Sequence, residues 1–260
     1  MSTLELQGVW VDRGGRRVFS DANLSVAPGR LQAIVGPNGS GKSTLQRVLG
    51  GMWAPTQGSV LLDGRPLSSL PRSALARAIS YVPQNERIGF EFTVDEVVSM
   101  GRYPHRGRFA PESEDDRRII LDAIERCDLG GLRERVVSTL SGGEHQRVLI
   151  ARSLAVQSKF ILLDEPTANL DVEHSIEVLE LCRELALEGK AVVLASHDLN
   201  AVARYATDVA LIEAGHFVGC GRLEEVLTPQ NLERTFGVRA EILASTDGYP
   251  VYVFHQRGET

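Results

Sequence analysis

The hydrophobic residues of this chain follow two patterns, and each predicts a different kind of strand. Apolar and polar positions alternate over Leu4 to Val11 and again over Val18 to Val26, which is typical of strands with one buried face. The glycine-containing turn Asp12 to Arg17 lies between them and predicts a hairpin. Nearly continuous apolar runs instead predict strands buried on both faces, and they occur at Leu31 to Val35, Phe160 to Leu163 and Ala191 to Ala195.

Apolar residues at helical spacing mark the segments between these strands. The clearest segment opens with acidic residues at Glu114 and carries one apolar face, made of Ile119, Ile120, Ala123, Ile124 and Cys127. A shorter helix is predicted from Val94 to Met100, with Thr93 as its cap and Glu96 three residues later. Further helices are predicted at 73–78, 144–155, 171–187, 202–205 and 223–236, the last with a break at Thr228-Pro229. Further strands are predicted at 59–62, 79–82, 209–213, 217–218, 242–244 and 251–254.

These elements predict an α/β fold class for a single domain over residues 1–260. The opening third is antiparallel in character, around one parallel strand-and-helix unit. Residues from about 86 to 140 are predicted to form a mostly helical insert, and residues from about 223 to 260 a C-terminal helix and hairpin extension. With 260 residues, 43% of them hydrophobic, the chain can bury a large core.

A glycine-rich loop between a predicted strand and a predicted helix is the first candidate site. Glycines allow successive backbone N–H groups to point inward around a polyphosphate, and the following helix presents its positive end to the same anion. In this pattern the lysine supplies a mobile cation and the serine hydroxyl can ligate Mg²⁺. The predicted ATP-binding residues are Gly36, Pro37, Asn38, Gly39, Ser40, Gly41, Lys42, Ser43 and Thr44.

Composition excludes some functions. The 34 acidic and 28 basic residues give a net charge of −6, which argues against a nucleic-acid binder that depends on a basic surface. The three cysteines, Cys127, Cys182 and Cys220, have no metal-ligand spacing and are expected to be reduced thiols. No run is long enough for a membrane span, so any membrane role is expected to come through a partner.

Polar residues at other predicted strand ends add the chemistry of hydrolysis. Asp164 ends a buried strand and can hold Mg²⁺, because a hard cation prefers carboxylate oxygen. Glu165 follows it and is placed to polarise a water for attack on a γ-phosphate. His197 can donate a hydrogen bond to that phosphate, and Gln84 can reach the metal or the attacking water.

The order of these motifs along the chain resembles the nucleotide-binding subunits of ATP-binding-cassette (ABC) transporters. The resemblance implies a P-loop NTPase core with a RecA-like parallel sheet, an N-terminal antiparallel β subdomain and an inserted α-helical subdomain. It also implies ATP hydrolysis with Glu165, His197 and Gln84 as catalytic residues and Ser43, Gln84 and Asp164 as Mg²⁺ ligands. The matching motifs are the Walker A loop, the glutamine loop at Gln84, the signature loop at 140–146, Walker B at 160–165, the D-loop Ala168-Asn169-Leu170-Asp171 and the histidine loop at His197.

The signature loop implies a dimer. In the resembled family it completes the ATP site of a second subunit, so Ser141, Gly142, Gly143 and Glu144 are expected to bind ATP in trans, in a head-to-tail homodimer with two ATP molecules. A P-loop kinase or GTPase is the alternative; the signature loop and the lack of an Asn-Lys-x-Asp guanine motif count against it.

One departure from the family concerns the adenine. Family members usually place an aromatic residue just before the glycine turn of the first hairpin, where this chain has Arg13. Trp10 lies nearby, and the sequence leaves open whether Arg13 stacks on the base or the base is held loosely. A second departure is Glu144, at a position where many members carry glutamine.

The insert and the tail suggest a subfamily. The stretch Phe92 to His105 and the tail Leu227 to Val238 resemble importers for iron chelates, haem and cobalamin. That resemblance implies partnership with integral membrane permease subunits at the cytoplasmic face of the inner membrane, and indirectly with a substrate-binding protein. A ferric siderophore or haem is the favoured cargo, with cobalamin next. The alternative is a soluble ABC ATPase that acts in iron–sulfur assembly or on nucleic acid.

Overall fold

The computed structural model describes residues 2–84, 86, 88–107, 110–168 and 170–256. Its strands are β1 (Leu4–Arg13), β2 (Arg16–Val26), β3 (Arg30–Val35), β4 (Gln57–Leu62), β5 (Arg65–Pro66), β6 (Ile79–Val82), β7 (Phe160–Asp164), β8 (Ala191–Ser196), β9 (Asp208–Glu213), β10 (His216–Arg222), β11 (Arg239–Ala244) and β12 (Pro250–His255). Its α-helices are α1 (Lys42–Leu49), α2 (Arg72–Ala78), α3 (Val94–Ser99), α4 (Glu114–Arg126), α5 (Gly142–Ala155), α6 (Val172–Leu187), α7 (Leu199–Tyr205), α8 (Leu223–Val226) and α9 (Pro229–Phe236).

A central sheet with the strand order β10-β9-β3-β8-β7-β6 positions the site. All pairs except the β9–β10 hairpin are parallel, and every residue of β7 and β8 is buried, as the continuous apolar runs predicted. In the register of this sheet Val35 pairs with Ser196, and Asp164 pairs with Ala195. The ends of β3, β7 and β8 therefore meet at one edge, where ligands bind in open α/β sheets.

A second, antiparallel sheet has the order β2-β1-β4-β5 and confirms the predicted N-terminal β portion. β1 and β2 pair from Leu4 opposite Val26 to Arg13 opposite Arg16, so the predicted hairpin is present. One apolar core joins the inner face of this sheet to α1 and the central sheet, with Leu6, Phe19 and Leu45 fully or almost fully buried. The fold class predicted from the sequence is thus confirmed.

The segment between β6 and α5 is helical in the described residues, with α3, a 3₁₀ helix at Met100–His105, and α4. The predicted cap of α3 is confirmed: Thr93 and Glu96 form a reciprocal capping box. The insert packs on α5 through a separate apolar cluster that includes Val97 and Ile120. The boundaries of this insert near 86 and 140 stay a prediction, as do those of the C-terminal extension.

Beyond the central sheet, α8, α9 and the β11–β12 hairpin pack on α7 and β9. The break predicted at Thr228-Pro229 is present, because Thr228 caps α9 and Pro229 is its first residue. Several elements are longer than the sequence-based prediction. For example, α5 begins at Gly142 rather than Glu144, since Ser141 caps it, α7 begins at Leu199 rather than Val202, and β11 begins at Arg239 rather than Ile242. In the described part of the chain, every helix is too short or too polar to cross a bilayer.

Candidate active site

The glycine loop joins β3 to α1 and encloses the side chain of Lys42. The ammonium Nζ of Lys42 donates to the carbonyl oxygens of Gly36, at 2.8 Å, and Pro37, at 3.2 Å. Gly36 has to be glycine, because a Cβ there would lie 2.2 Å from the carbonyl oxygen of Ile212 on β9. The Lys42 side chain is buried, and desolvation lowers its pKa, while the charges of Glu165 and Asp164 oppose that shift. A buried cation in a glycine-rich loop at the N-terminus of a helix is suited to a polyphosphate.

The end of β7 brings a carboxylate to the start of α1. Asp164, 1% exposed, accepts hydrogen bonds from Ser43 Oγ at 3.0 Å and from Tyr81 Oη at 3.1 Å. Burial raises the pKa of Asp164, and the Ser43 hydrogen bond opposes this. Two oxygen donors held side by side at a phosphate loop fit the ligand chemistry of Mg²⁺, which is bound through a few protein oxygens together with phosphate oxygens and waters.

Glu165 is held by three of the other predicted residues. Its carboxylate Oε2 accepts a hydrogen bond from Gln84 Nε2 at 2.8 Å and lies 3.5 Å from His197 Nδ1, while Oε1 lies 3.9 Å from Lys42 Nζ. The backbone turns at Glu165, with φ at 49°, and its N–H donates to Ala195 on β8. This positive φ is uncommon outside glycine and asparagine, and it directs the side chain out of the sheet.

A cleft of about 690 Å³ opens from this cluster. Its walls include Gln84, Glu165, His197, Arg204 and Tyr249. The catalytic candidates are therefore accessible to solvent, with His197 62% exposed at its side chain. The structure thus brings together Lys42, Ser43, Gln84, Asp164, Glu165 and His197.

The signature residues form a different part of the surface. Ser141 accepts a hydrogen bond from the Glu144 N–H, and Glu144 accepts one from the Ser141 N–H at 2.7 Å, so they form a capping box at the start of α5. A Cβ on Gly143 would lie 3.7 Å from the side chains of both Leu170 and His174. Among the described residues, no hydrogen bond joins Ser141–Glu144 to the glycine loop of the same chain.

The D-loop is described only in part. Asn169 of the predicted motif lies outside the described residues. Asp171 is the N-cap of α6 and accepts hydrogen bonds from the backbone N–H of His174, at 2.9 Å, and from its Nδ1, at 2.7 Å. The D-loop therefore leads directly into the start of α6.

Both candidates for the adenine contact have partners within the chain. The Arg13 guanidinium lies 3.9 Å from the ring centroid of Trp53, and the Arg17 guanidinium lies 4.6 Å from that of Trp10. Arg47 also stacks on Trp53, at 4.9 Å. An adenine contact by Arg13 or Trp10 stays a prediction.

Sequence reasoning missed Tyr81. This tyrosine on β6 is hydrogen-bonded to Asp164, and burial together with the Asp164 charge raises its pKa to about 12. It is therefore a neutral donor that orients the carboxylate. The sequence carried only a partial signal, since Tyr81 lies on the predicted strand that leads to Gln84. The pairing of that strand with the strand of Asp164 is a finding of the structure.

Comparison with known proteins places this geometry in a family. The family profile described as ABC transporter matches residues 19–168. The chain is 43% identical over 241 residues to the cobalamin import ATP-binding protein BtuD of Halobacterium salinarum, covering 92% of this chain and 60% of that protein. It therefore spans well under two thirds of that relative. It is 42% identical over 248 residues to the hemin import ATP-binding protein HmuV of Gloeobacter violaceus, covering 92% of this chain and 89% of that protein.

Solved structures agree with the fold. A structure described as a metal-chelate type ABC transporter in an inward-facing conformation superposes with a TM-score of 0.86 at 29% identity, covering 99% of both chains. The dimeric ATP-binding cassette MJ0796 in a post-hydrolysis state with ADP and phosphate superposes with a TM-score of 0.74 at 30% identity, covering 85% of this chain and 98% of that one.

Proposed function

The chain belongs to the ABC transporter family, and on that premise we propose that it is the ATP-hydrolysing subunit of an importer for haem or another iron chelate. The observation that carries the ATPase activity is the convergence of the buried Lys42 ammonium and the Asp164 and Glu165 carboxylates at one edge of the sheet. An ATPase assay with purified protein tests it: phosphate release that requires Mg²⁺ and disappears on chelation supports the proposal, and no release contradicts it.

Each residue of the cluster has a distinct role in this reaction. Lys42 neutralises the charge of the β- and γ-phosphates. To do so, its ammonium exchanges its hydrogen bonds to the carbonyl oxygens of Gly36 and Pro37 for contacts with the phosphates. Ser43 and Asp164, with Gln84 as a further candidate, would hold Mg²⁺, which when bound neutralises charge on the phosphate oxygens. Glu165 orients the attacking water and accepts its proton, and its contacts with Gln84 and His197 fix the carboxylate in place. His197 is also placed to donate to the γ-phosphate.

A second copy of the chain completes each ATP site in this proposal. Ser141, Gly142, Gly143 and Glu144 lie at the N-terminus of α5, where the positive end of the helix dipole favours an anion. The phosphate loop of the same chain is a separate site. The dimeric state of the similar cassette MJ0796 supports a dimer. Hydrolysis should therefore rise more steeply than linearly with protein concentration.

The cargo is proposed from the relatives, because an ATP-binding subunit does not bind the cargo itself. The relatives include hemin import ATP-binding proteins from Gloeobacter violaceus and Pseudomonas entomophila, the second of which is 39% identical with coverage of 96% of this chain and 99% of that protein. A cobalamin importer is the second candidate, favoured by the 43% identity to the Halobacterium protein. Uptake of haem, a ferric siderophore and cobalamin, measured in parallel in cells with and without the gene, separates the three.

The permease partnership and the cytoplasmic face of the inner membrane are the remaining parts of the proposal. The two importer relatives and the metal-chelate type transporter support them. A tagged chain isolated from detergent-solubilised membranes should carry an integral membrane protein with it, and a periplasmic or surface substrate-binding protein should act on that permease. Recovery with soluble partners alone would favour the soluble ABC ATPase instead.

A further inference from the structure

The last turn of α5 is in contact with two segments that come from different parts of the chain. One is the 3₁₀ helix Met100–His105, which belongs to the stretch Phe92 to His105 that resembles importers. The other is Glu86, two residues beyond Gln84. Because α5 begins at the signature loop, its last turn connects both segments to that loop.

The 3₁₀ helix lies directly against the backbone of α5. A Cβ on Gly101 would lie 2.3 Å from the carbonyl oxygen of Arg152, so glycine is required for this approach. Arg102 Nη1 donates to the carbonyl oxygen of Ala155 at 2.8 Å, and His105 Nε2 donates to that of Val156 at 2.7 Å. These two side chains satisfy carbonyls at the end of α5 that lack partners within the helix.

Arg102 also fixes the 3₁₀ helix to α4. It is 5% exposed, and its Nε lies 2.7 Å from Asp116 Oδ1, near the start of α4. Because Arg102 is buried and paired with Asp116, moving the 3₁₀ helix along α5 would separate two buried charges. The 3₁₀ helix therefore has little freedom to move relative to α5. Tyr103, which lies next to the buried Arg102, is 60% exposed.

The second contact joins α5 to the glutamine loop. Arg152 binds Glu86 through both guanidinium nitrogens, at 2.7 Å for Nη1 to Oε1 and 2.5 Å for Nη2 to Oε2. Glu86 is two residues beyond Gln84, whose amide holds the catalytic candidate Glu165. The Arg152 hydrogen bonds lower the pKa of Glu86, so the pair is charged at neutral pH.

We propose that Arg152 is a positioning residue for permease-coupled hydrolysis. Its ion pair with Glu86 holds the glutamine loop against the last turn of α5, which is also the turn that the 3₁₀ helix contacts. A permease contact that displaces Tyr103 then moves Ser141, at the other end of a helix about 21 Å long, together with Gln84. One chain contributes the glutamine loop to its own ATP site and the signature loop to the site of its partner. Both loops therefore move together. This inference rests on the proposed function, because it requires a permease.

Charge exchange in the reconstituted transporter tests this role. The chain and the permease that co-purifies with it are placed in liposomes, and permease-stimulated ATPase activity and cargo uptake are measured for E86R, R152E and the double variant E86R/R152E. In each single variant the stimulated ATPase rate should fall about tenfold, which corresponds to a loss of about 1.4 kcal/mol of interaction free energy from the charged pair. In the double variant the rate should recover to within about threefold of wild type. ATP binding by the isolated chain should stay unchanged, because neither residue contacts the nucleotide site.

Two further variants keep the result interpretable. R118E removes the exposed pair between Arg118 and Asp115 on α4 and serves as the matched control. R152K keeps the charge but cannot bind both oxygens in parallel, so it should fall between wild type and R152E, and it guards against misfolding of the reversed variant. The inference is overturned if permease stimulation of the ATPase rate is unchanged in the single variants. It is also overturned if the loss of rate in the double variant equals the combined losses of the two single variants. In both cases the proposed function stands. A wild-type complex without any permease stimulation overturns both.

Discussion

The side-chain amide of Gln84 donates a 2.8 Å hydrogen bond to the carboxylate of Glu165, across 81 residues of chain. The two residues follow neighbouring parallel strands, β6 and β7, whose carboxyl ends reach the same edge of the sheet. This bond joins the glutamine loop to the residue proposed to activate water. Any movement of the loop therefore changes the position or the basicity of that carboxylate.

Glu165→Gln should remove the base without removing ATP binding. The amide keeps the size of the side chain but cannot accept the proton from water, so hydrolysis should fall by roughly 10²- to 10⁴-fold. Phosphate release and calorimetric ATP binding measure the two properties separately. Glu173→Gln, in the first turn of α6, is the matched control and should hydrolyse ATP at the wild-type rate. Unchanged turnover in Glu165→Gln would exclude the base role.

Lys42→Ala should weaken nucleotide binding itself. The ammonium is buried and its carbonyl contacts are replaced by phosphate contacts in the complex, each worth about 1.5–3 kcal/mol for a charged hydrogen bond. The dissociation constant for Mg-ATP should rise by about 10- to 100-fold, measured by calorimetry. Lys159→Ala provides a control at a lysine outside the loop, and equal affinities for both variants would contradict the assignment of Lys42.

Ser141→Arg should block hydrolysis while a single chain still binds ATP. The bulk of the arginine side chain at the start of α5 fills the space proposed for the partner's phosphates, so the two chains cannot close on the shared site. The rate should drop by about 10²-fold, as for loss of electrostatic stabilisation at a reacting phosphate. The measurement is the ATPase rate as a function of protein concentration, with exposed Ser68→Arg as the control. Full activity would refute the shared site.

Gly101→Ala should destabilise the fold, because its Cβ would collide with the Arg152 carbonyl. Overpacking against backbone costs about 1–3 kcal/mol in the free energy of unfolding. Gly130→Ala is the matched control, since no atom lies within 4 Å of its added Cβ. Urea denaturation of both variants measures the difference, and equal stability would show that the 3₁₀ helix can move away from α5.

The stability of the insert should depend on pH through Asp116. Hydrogen bonds from Ser113 and then Arg102 lower its pKa from 3.8 to about 2. Because the folded-state pKa is lower than the unfolded one, the ionised carboxylate stabilises the fold above about pH 4, and this stabilisation is lost as the pH falls toward 2. The gap in unfolding free energy between wild type and Asp116→Asn should therefore narrow from pH 5 to pH 2.5.

Urea titrations at several pH values measure that gap. Asp122→Asn removes an exposed carboxylate from the same helix and is the control for charge removal alone. A gap that stays constant over this range for Asp116→Asn would mean that Arg102 and Ser113 do not bind the ionised form.

Local sequence predicted most of the strands and helices and the candidate site residues other than Tyr81. Alternation and continuous apolar runs distinguish the half-buried strand β1 from the fully buried β7 and β8, since burial on one or two faces is a property of each strand's own residues. The glycine loop and the carboxylates at the end of β7 predict a phosphate site, because polyphosphate binding requires a fixed local spacing of backbone N–H groups, a cation and carboxylates.

Only the tertiary structure decided which of these residues meet. The hydrogen bonds of Tyr81 and Ser43 to Asp164, and the bond between Arg152 and Glu86, join segments that are far apart in the chain. Such contacts depend on strand order and on how the insert packs against α5, which local spacing does not encode. The same holds for Arg13: its stacking on Trp53 follows from the pairing of β1 with β4, which brings the two segments together.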